Sequence, residues 1–328
     1  MLRRARTIRG VLAVLSVFVL GSCGGDPEPA QSALPGVDPG ADAGIAVAPE
    51  GPTTLPGTDA DWAIVQEKAL WAVDQGLAGA SIGDLVVRIG QTFIGTPYAP
   101  RTLEAPGAES LVIELQELDC VTFVENVLAL ARFVQSTPGD LLVADAGGRQ
   151  RALFSGILED IRYRGGRLDE YPSRLHYFSE WISDNHTMGL VRDMSQELGG
   201  VIDDEPIDFM TTHPDAYRQL REDPAFLTEL KEAEARLSAE PRYYIPEDRI
   251  ALVEDRILDG DIIAATSTVA GLDIAHTGIA LWRDGRLHLL HAPLVGGVVQ
   301  ISEVPLAERI QRIGGQDGVM VARPTDVR

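Results

Sequence analysis

A thiol, a base to take its proton and a third group to hold that base are sufficient for nucleophilic attack on an acyl carbon. The chain has two cysteines, Cys23 and Cys120, and only Cys120 lies in a region whose pattern reads as folded. Two of its six histidines, His276 and His291, fall in strand-type runs on either side of Asp284-Gly285, a dipeptide that favours a two-residue hairpin turn. If those two residues form the turn, Arg283 pairs with Arg286, Leu281 with His288 and Gly278 with His291. Side chains alternate along a strand, so His276, Gly278 and Ala280 share one face, and His291 sits on that face diagonal to His276. Diagonal neighbours are roughly 7–8 Å apart at the backbone, within reach of two imidazoles, while His288 points to the other side. A slip of one residue would reverse this assignment. Taken singly, Cys120 is also compatible with a small core residue and each histidine with a structural one.

The thiol needs an element to hold it, and Leu115–Val134 supplies a helix with Cys120 in its first turn. Val121, Val124, Val127, Leu128, Ala131 and Val134 follow helical spacing, and Phe123, Leu130 and Phe133 fill most of the remaining circumference. A helix apolar nearly all round is a buried one. Its free N–H groups and the positive end of its dipole are expected to favour the thiolate. Upstream, Asp59-Ala60-Asp61 can cap a helix carrying Trp62, Val65, Ala69 and Val73 that stops by Gly76. Ser81 with Asp84 resembles a capping box ahead of Ile82, Leu85, Val86, Ile89 and Phe93. The two prolines of Thr96-Pro97-Tyr98-Ala99-Pro100 demand an extended loop.

Downstream, residues 141–178 mix short apolar runs with Gly-rich turns. The dense alternation of aromatic and polar residues over Ser173–His186 suits either a pocket wall or a half-buried helix face. Pro214–Glu240 reads as a solvated amphipathic helix. Strand-type runs then occur at 259–265, 272–282, 286–292 and 318–323. Helices first and strands second is α+β order.

At the amino terminus, Arg3, Arg4, Arg6 and Arg9 precede an apolar run from Val11 to Leu20 and then Gly21-Ser22-Cys23. That run is too short to span a bilayer, which takes about 20 apolar residues, and reads as an export signal. Small residues followed by cysteine resemble a bacterial lipoprotein processing site, so residues 1–22 are expected to be a signal peptide and Cys23 the lipidated first mature residue. Cys120 is then an unpaired thiol in an exported protein, where idle thiols are a liability. Asp26–Asp59 holds seven prolines and five glycines in 34 residues, so 23–58 is expected to be a flexible tether. The formal charge is −21, and there is no basic cluster to follow a phosphate backbone, which excludes nucleic acid as a partner.

The order Asp119-Cys120 on a helix, Gly260-Asp261-Ile262, His276-Thr277-Gly278-Ile279 and His291-Ala292 resembles the NlpC superfamily of papain-like bacterial cell-wall cysteine hydrolases. Thr96-Pro97-Tyr98, Thr102-Leu103-Glu104, Leu118–Glu125 and Ser173–Ile182 resemble its N-acetylmuramoyl-L-alanine amidase-like branch, and the likeness covers most of residues 80–325. The resemblance implies a papain-like α+β domain over 59–328, its nucleophile helix packed on an antiparallel sheet, with a helical and loop insertion at about 141–245. It implies hydrolysis of the amide between N-acetylmuramic acid and L-alanine in peptidoglycan or muropeptides. Cys120 would be the nucleophile, His276 the general base and His291 the orienting residue. Arg174, His176 and Trp181 would line the substrate cleft, Arg174 as a carboxylate clamp. Tyr98 and the helix start at Asp119 would border the oxyanion. The same scaffold also admits a stem-peptide endopeptidase, a thioester-forming acyltransferase or a non-catalytic wall-binding lipoprotein. No two histidines stand at the His-x-x-x-His spacing of a helical zinc site, and no metal or cofactor is expected. Gly24 after Cys23, in place of an acidic residue, points to anchoring on the periplasmic face of an outer membrane.

Overall fold

The computed structural model describes residues 56–139, 142 and 148–327. The expected signal peptide, Cys23 and the tether up to residue 55 lie outside the described residues. Helix α1, Asp59–Asp74, is capped by Thr58, one residue before the expected cap: Thr58 Oγ1 accepts the Asp61 N–H at 3.1 Å while the Asp61 carboxylate accepts the Thr58 N–H at 3.0 Å. The other Asp61 oxygen takes the Leu115 N–H at 3.1 Å, tying α1 to the segment that leads into the cysteine helix. Helix α2, Ile82–Gln91, starts at the expected Ser81 cap and buries Ile82, Leu85, Val86 and Ile89. Helix α3, Cys120–Ser136, is buried over most of its length. On α3, Phe133 meets Phe154 of α4, Gly148–Arg162, edge to face at 5.9 Å between ring centres. Inside that interface Arg162 Nε meets Glu125 at 2.7 Å, both side chains all but inaccessible.

The sheet is antiparallel throughout, in the order β2-β3-β8-β4-β5-β6-β7, with β1 also pairing with β8. Its strands are β1 Val191–Asp193, β2 Val201–Asp203, β3 Arg242–Pro246, β4 Ile262–Ser267, β5 Ile274–Arg283, β6 Arg286–His291, β7 Gln300–Ile301 and β8 Gln316–Pro324. Alternation divides its residues between two apolar layers. Ile262, Ala264, Ile279, Leu281, Leu290, Met320 and Ala322 join the core made with α1 to α4. Ile263, Ala265, Ala280, Leu287, Leu289, Val319 and Val321 pack on the other face, where α7, Leu306–Arg312, covers them with Leu306, Ala307 and Ile310. A helical layer against an antiparallel sheet is the mixed α/β arrangement expected.

The expected insertion differs in kind. It contains α4, α5 (Phe178–Thr187) and α6 (Pro224–Ala239), but also β1, β2 and β3, two of which pair with β8. These strands are three to five residues long and carry charges, too short for alternation to betray them. Part of the insertion has its own apolar centre of Tyr171, Tyr177, Ile207, Met210, Leu220, Leu230 and Leu237. No described helix is long and apolar enough to cross a membrane.

Candidate active site

Asp119 caps α3. One of its carboxylate oxygens accepts the N–H groups of Val121 at 3.1 Å and Thr122 at 2.8 Å, and Thr122 Oγ1 accepts the Asp119 N–H at 2.9 Å. The cap satisfies first-turn donors, and it also sets a negative charge beside Cys120. Cys120 itself is half-buried. Burial, and after it the Asp119 charge, push its thiol up to about 11, against the N–H and hydroxyl of Thr277 and its own N–H, which favour the thiolate. The sequence expectation of a thiolate held ready by the helix start is therefore corrected: the cap carboxylate has taken the place an anion would occupy.

The hairpin has the predicted register, with Ile279 opposite Leu290, Leu281 opposite His288 and Arg283 opposite Arg286. Asp284 and Gly285 have φ of 52° and 76°, the left-handed pair a primed turn requires. His276 Nε2 lies 2.7 Å from His291 Nδ1, the rings nearly perpendicular, while His288 bonds the Ser302 carbonyl oxygen at 2.9 Å elsewhere. A Cβ at Gly278 would lie 2.8 Å from both Leu289 and the Leu290 carbonyl oxygen, so the glycine admits the neighbouring strand. Burial pushes His276 well below 6.5, helped by His291 and Arg309; burial and then Arg309 bring His291 down to about 3. Both imidazoles are neutral near pH 7.

Thr277 joins the helix to the hairpin. Its hydroxyl donates to the Cys120 carbonyl oxygen at 2.7 Å. Alternation turns Thr277 toward α3 and His276 toward the opposite face of β5. No hydrogen bond joins the Cys120 sulfur to His276 among the described residues, and Nε2 of His276 is committed to His291. Arg309 of α7 feels the charge of Cys120 and acts on both histidines. Sequence reasoning missed Thr277 and Arg309. Period-2 alternation held the signal for Thr277, whereas nothing in the local sequence marks Arg309.

Tyr98 lies on the loop packed against the start of α3. Its N–H donates to the Gly297 carbonyl oxygen at 2.8 Å, and the Leu118 N–H donates to the Pro97 carbonyl oxygen at 2.9 Å, fixing this loop against the entry to α3. Burial, followed by the charges of Cys120 and Asp119, pushes its hydroxyl up to about 12, so it remains a donor.

Arg174 and Trp181 do not line a cleft. Arg174 is buried, donates to the Leu103 carbonyl oxygen and to Glu104 at 2.8 Å each, lies 3.5 Å from Glu109 and stacks on Tyr171. Its fork is spent on bracing the 103–109 segment, which corrects the carboxylate-clamp assignment. Trp181 has 0% exposure and stacks on Phe178, and thus cannot reach a substrate. His176 bonds the Tyr171 carbonyl oxygen at 2.8 Å through Nε2, and burial and then Arg174 push it well below 6.5. Over Ser173–His186 the half-buried helix reading holds from Phe178 onward. Among the described residues no group of three or more His, Cys, Asp and Glu side chains is disposed to hold a metal ion.

The family model described as AmiA-like, N-acetylmuramoyl-L-alanine amidase-like, matches residues 88–316. The solved structure of an N-acetylmuramoyl-L-alanine amidase from Bacteroides uniformis is similar at 35% identity and TM-score 0.68, covering 74% of this chain and 99% of that one. A Bacteroides fragilis protein whose structure bears a provisional xylanase name is similar at 34% identity and TM-score 0.64, covering 71% and 98%. A Legionella pneumophila protein of family DUF1460, at 21% identity and TM-score 0.56 over 81% and 94%, shares the fold. No curated protein matches the chain.

Proposed function

Because the chain belongs to the AmiA-like, N-acetylmuramoyl-L-alanine amidase-like family, we propose that it is a cysteine-dependent peptidoglycan hydrolase of papain-like, NlpC-type descent that cuts the amide between N-acetylmuramic acid and L-alanine. The observation that carries this reading is the 2.7 Å His276–His291 contact on the strand whose Thr277 grips the backbone of Cys120. With His276 Nε2–H donating to His291, Nδ1 is left with its lone pair for the thiol. Thiol and imidazole both rest uncharged, so proton transfer to Nδ1 accompanies attack of sulfur on the lactyl carbonyl carbon instead of preceding it. The Tyr98 hydroxyl and the Cys120 N–H are the donors for the oxygen that becomes negative. Imidazolium His276 then gives its proton to the departing L-alanine nitrogen, leaving a thioester on Cys120. Water, deprotonated by His276, hydrolyses that thioester and frees the thiol.

We further propose that residues 1–22 direct export and that a lipid on Cys23 holds the enzyme on the periplasmic face of an outer membrane, with 23–58 as its tether. Digestion of a defined disaccharide-peptide tests the activity. Free disaccharide together with an intact stem peptide is the expected product pair, lost in Cys120→Ala. A shortened stem still joined to sugar makes the protein an endopeptidase, and turnover that survives Cys120→Ala but stops in chelator makes it a metal hydrolase.

A further inference from the structure

Strands β6 and β7 are joined by the loop 292–299, which closes on the His291–Gln300 pair. The far limb of the loop is fixed by backbone bonds. The Gly95 N–H donates to the Val299 carbonyl oxygen at 2.9 Å, the Val299 N–H to that of Thr96 at 2.8 Å and the Tyr98 N–H to that of Gly297 at 2.8 Å. On its other side the same 95–99 segment meets Leu118, two residues before Cys120, through the Leu118 N–H and the Pro97 carbonyl oxygen at 2.9 Å. The loop is thus held between an imidazole of the candidate site and the segment that carries Tyr98 and borders the entry to α3. Its tip is apolar. Ala292 and Pro293 are buried, but Leu294 is 61% exposed and Val295 87%. Gly296 and Gly297, with φ of 111° and 69°, then turn the chain back toward Tyr98. Three residues of chain span at most about 11 Å and two about 7 Å, so Leu294 stays within that reach of His291 and Val295 of Gly297. Single apolar residues on a surface need no explanation, but here they gather. Of the seven large apolar side chains most exposed among the described residues, Leu294, Val295 and Ile94, next to Gly95, lie on these two paired segments.

We propose that Leu294 and Val295 form the apolar lip of a subsite for the first stem residue and close on the L-alanine methyl of a bound muropeptide. The proposal rests on the amidase reading given above and names the residues that select its leaving group. In that chemistry His276 delivers its proton to the departing nitrogen, so this nitrogen comes within hydrogen-bond reach of the imidazole. His276 lies 2.7 Å from His291, and the loop runs on directly from His291, so the amine side of the scissile bond is the side that passes the loop. The L-alanine methyl stands two bonds from that nitrogen. The lip supplies no charge and no hydrogen bond; it takes the methyl out of water. Burial of one such group corresponds to about a fourfold gain in affinity. A membrane is the other apolar partner that an anchored protein meets, but a chain of formal charge −21 is repelled by an anionic lipid surface.

The test is a calorimetric titration of the full chain carrying Cys120→Ala, so that nothing is cut, with two ligands. One is the disaccharide bearing L-Ala-D-Glu, the other its counterpart with glycine in place of L-alanine. The parent is expected to bind the alanyl ligand about fourfold or more tightly than the glycyl one. In Leu294→Ser/Val295→Ser that preference should fall to near one, with affinity for the alanyl ligand reduced by at least the same factor. Equal binding of the two ligands by the parent, or a preference that the double variant retains, overturns the proposal. Should the double variant not fold, Val295→Ser, at the most exposed of the seven positions, carries the same comparison. Flotation of the Cys23→Ser chain with phosphatidylglycerol-containing vesicles, lost in the double variant while both ligand affinities stay as they were, makes the tip a membrane contact and overturns the subsite. The two readings fail separately. A chain that discriminates between the ligands but never releases free disaccharide keeps the subsite and loses the amidase, and one that releases disaccharide without discriminating does the reverse.

Discussion

In the proposed mechanism His276 accepts a proton, and its neutral form persists as pH falls because its folded value is depressed by burial, His291 and Arg309. A base protonated only well below 6.5 places the acid limb of kcat/KM below 6.5. Measuring kcat/KM on a muropeptide from acidic to neutral pH checks this, and a limb centred at or above 6.5 contradicts it. The histidine pair was legible in advance since one dipeptide, Asp284-Gly285, set the register, and register decides which side chains face each other. The state of the thiol was not. The sequence places Cys120 at a helix start, but which atoms occupy the first-turn N–H groups depends on the rotamer of Asp119, and that side chain turned inward to cap. Arg174 was misread for a related reason: its partner Glu104 is 70 residues distant in sequence, so a spent cation looked like an available one.

At the scale of elements, α3 is held by contacts from several directions, and several of these are polar bonds between segments far apart. Arg174 is one such bond, joining the insertion to the 103–109 segment that precedes α3 in the chain. Replacing it with Met leaves Glu109 buried without its cation, and breaking a buried pair in this way costs about 3–5 kcal/mol. The expected outcome of Arg174→Met is a large fall in the urea midpoint, with KM for muropeptide little changed in the molecules that remain folded. A raised KM at unchanged stability would instead return Arg174 to the substrate. Helices α1, α2 and α3 were legible because apolar residues recur at helical spacing along each, although the cap of α1 is Thr58 and not the expected Asp. β1, β2 and β3 were not, being defined by pairing with other strands instead of by their own pattern.

For the whole molecule, the reading joins a folded hydrolase to a lipid-held amino terminus. Cys23→Ser is expected to move the protein from the membrane fraction to the soluble periplasmic fraction while kcat/KM of the purified protein on soluble muropeptide stays the same. Fractionation followed by assay checks both halves of that statement. The position of β8 has a further consequence. The strand formed by residues 316–324 lies between β3 and β4 and also pairs with β1, so among the described strands its pairings reach furthest along the chain. Without it β4 lacks one neighbour and β3 cannot connect to the rest of the sheet. Pairings of such long range form slowly, so closing the middle of this sheet is expected to be a late event in folding.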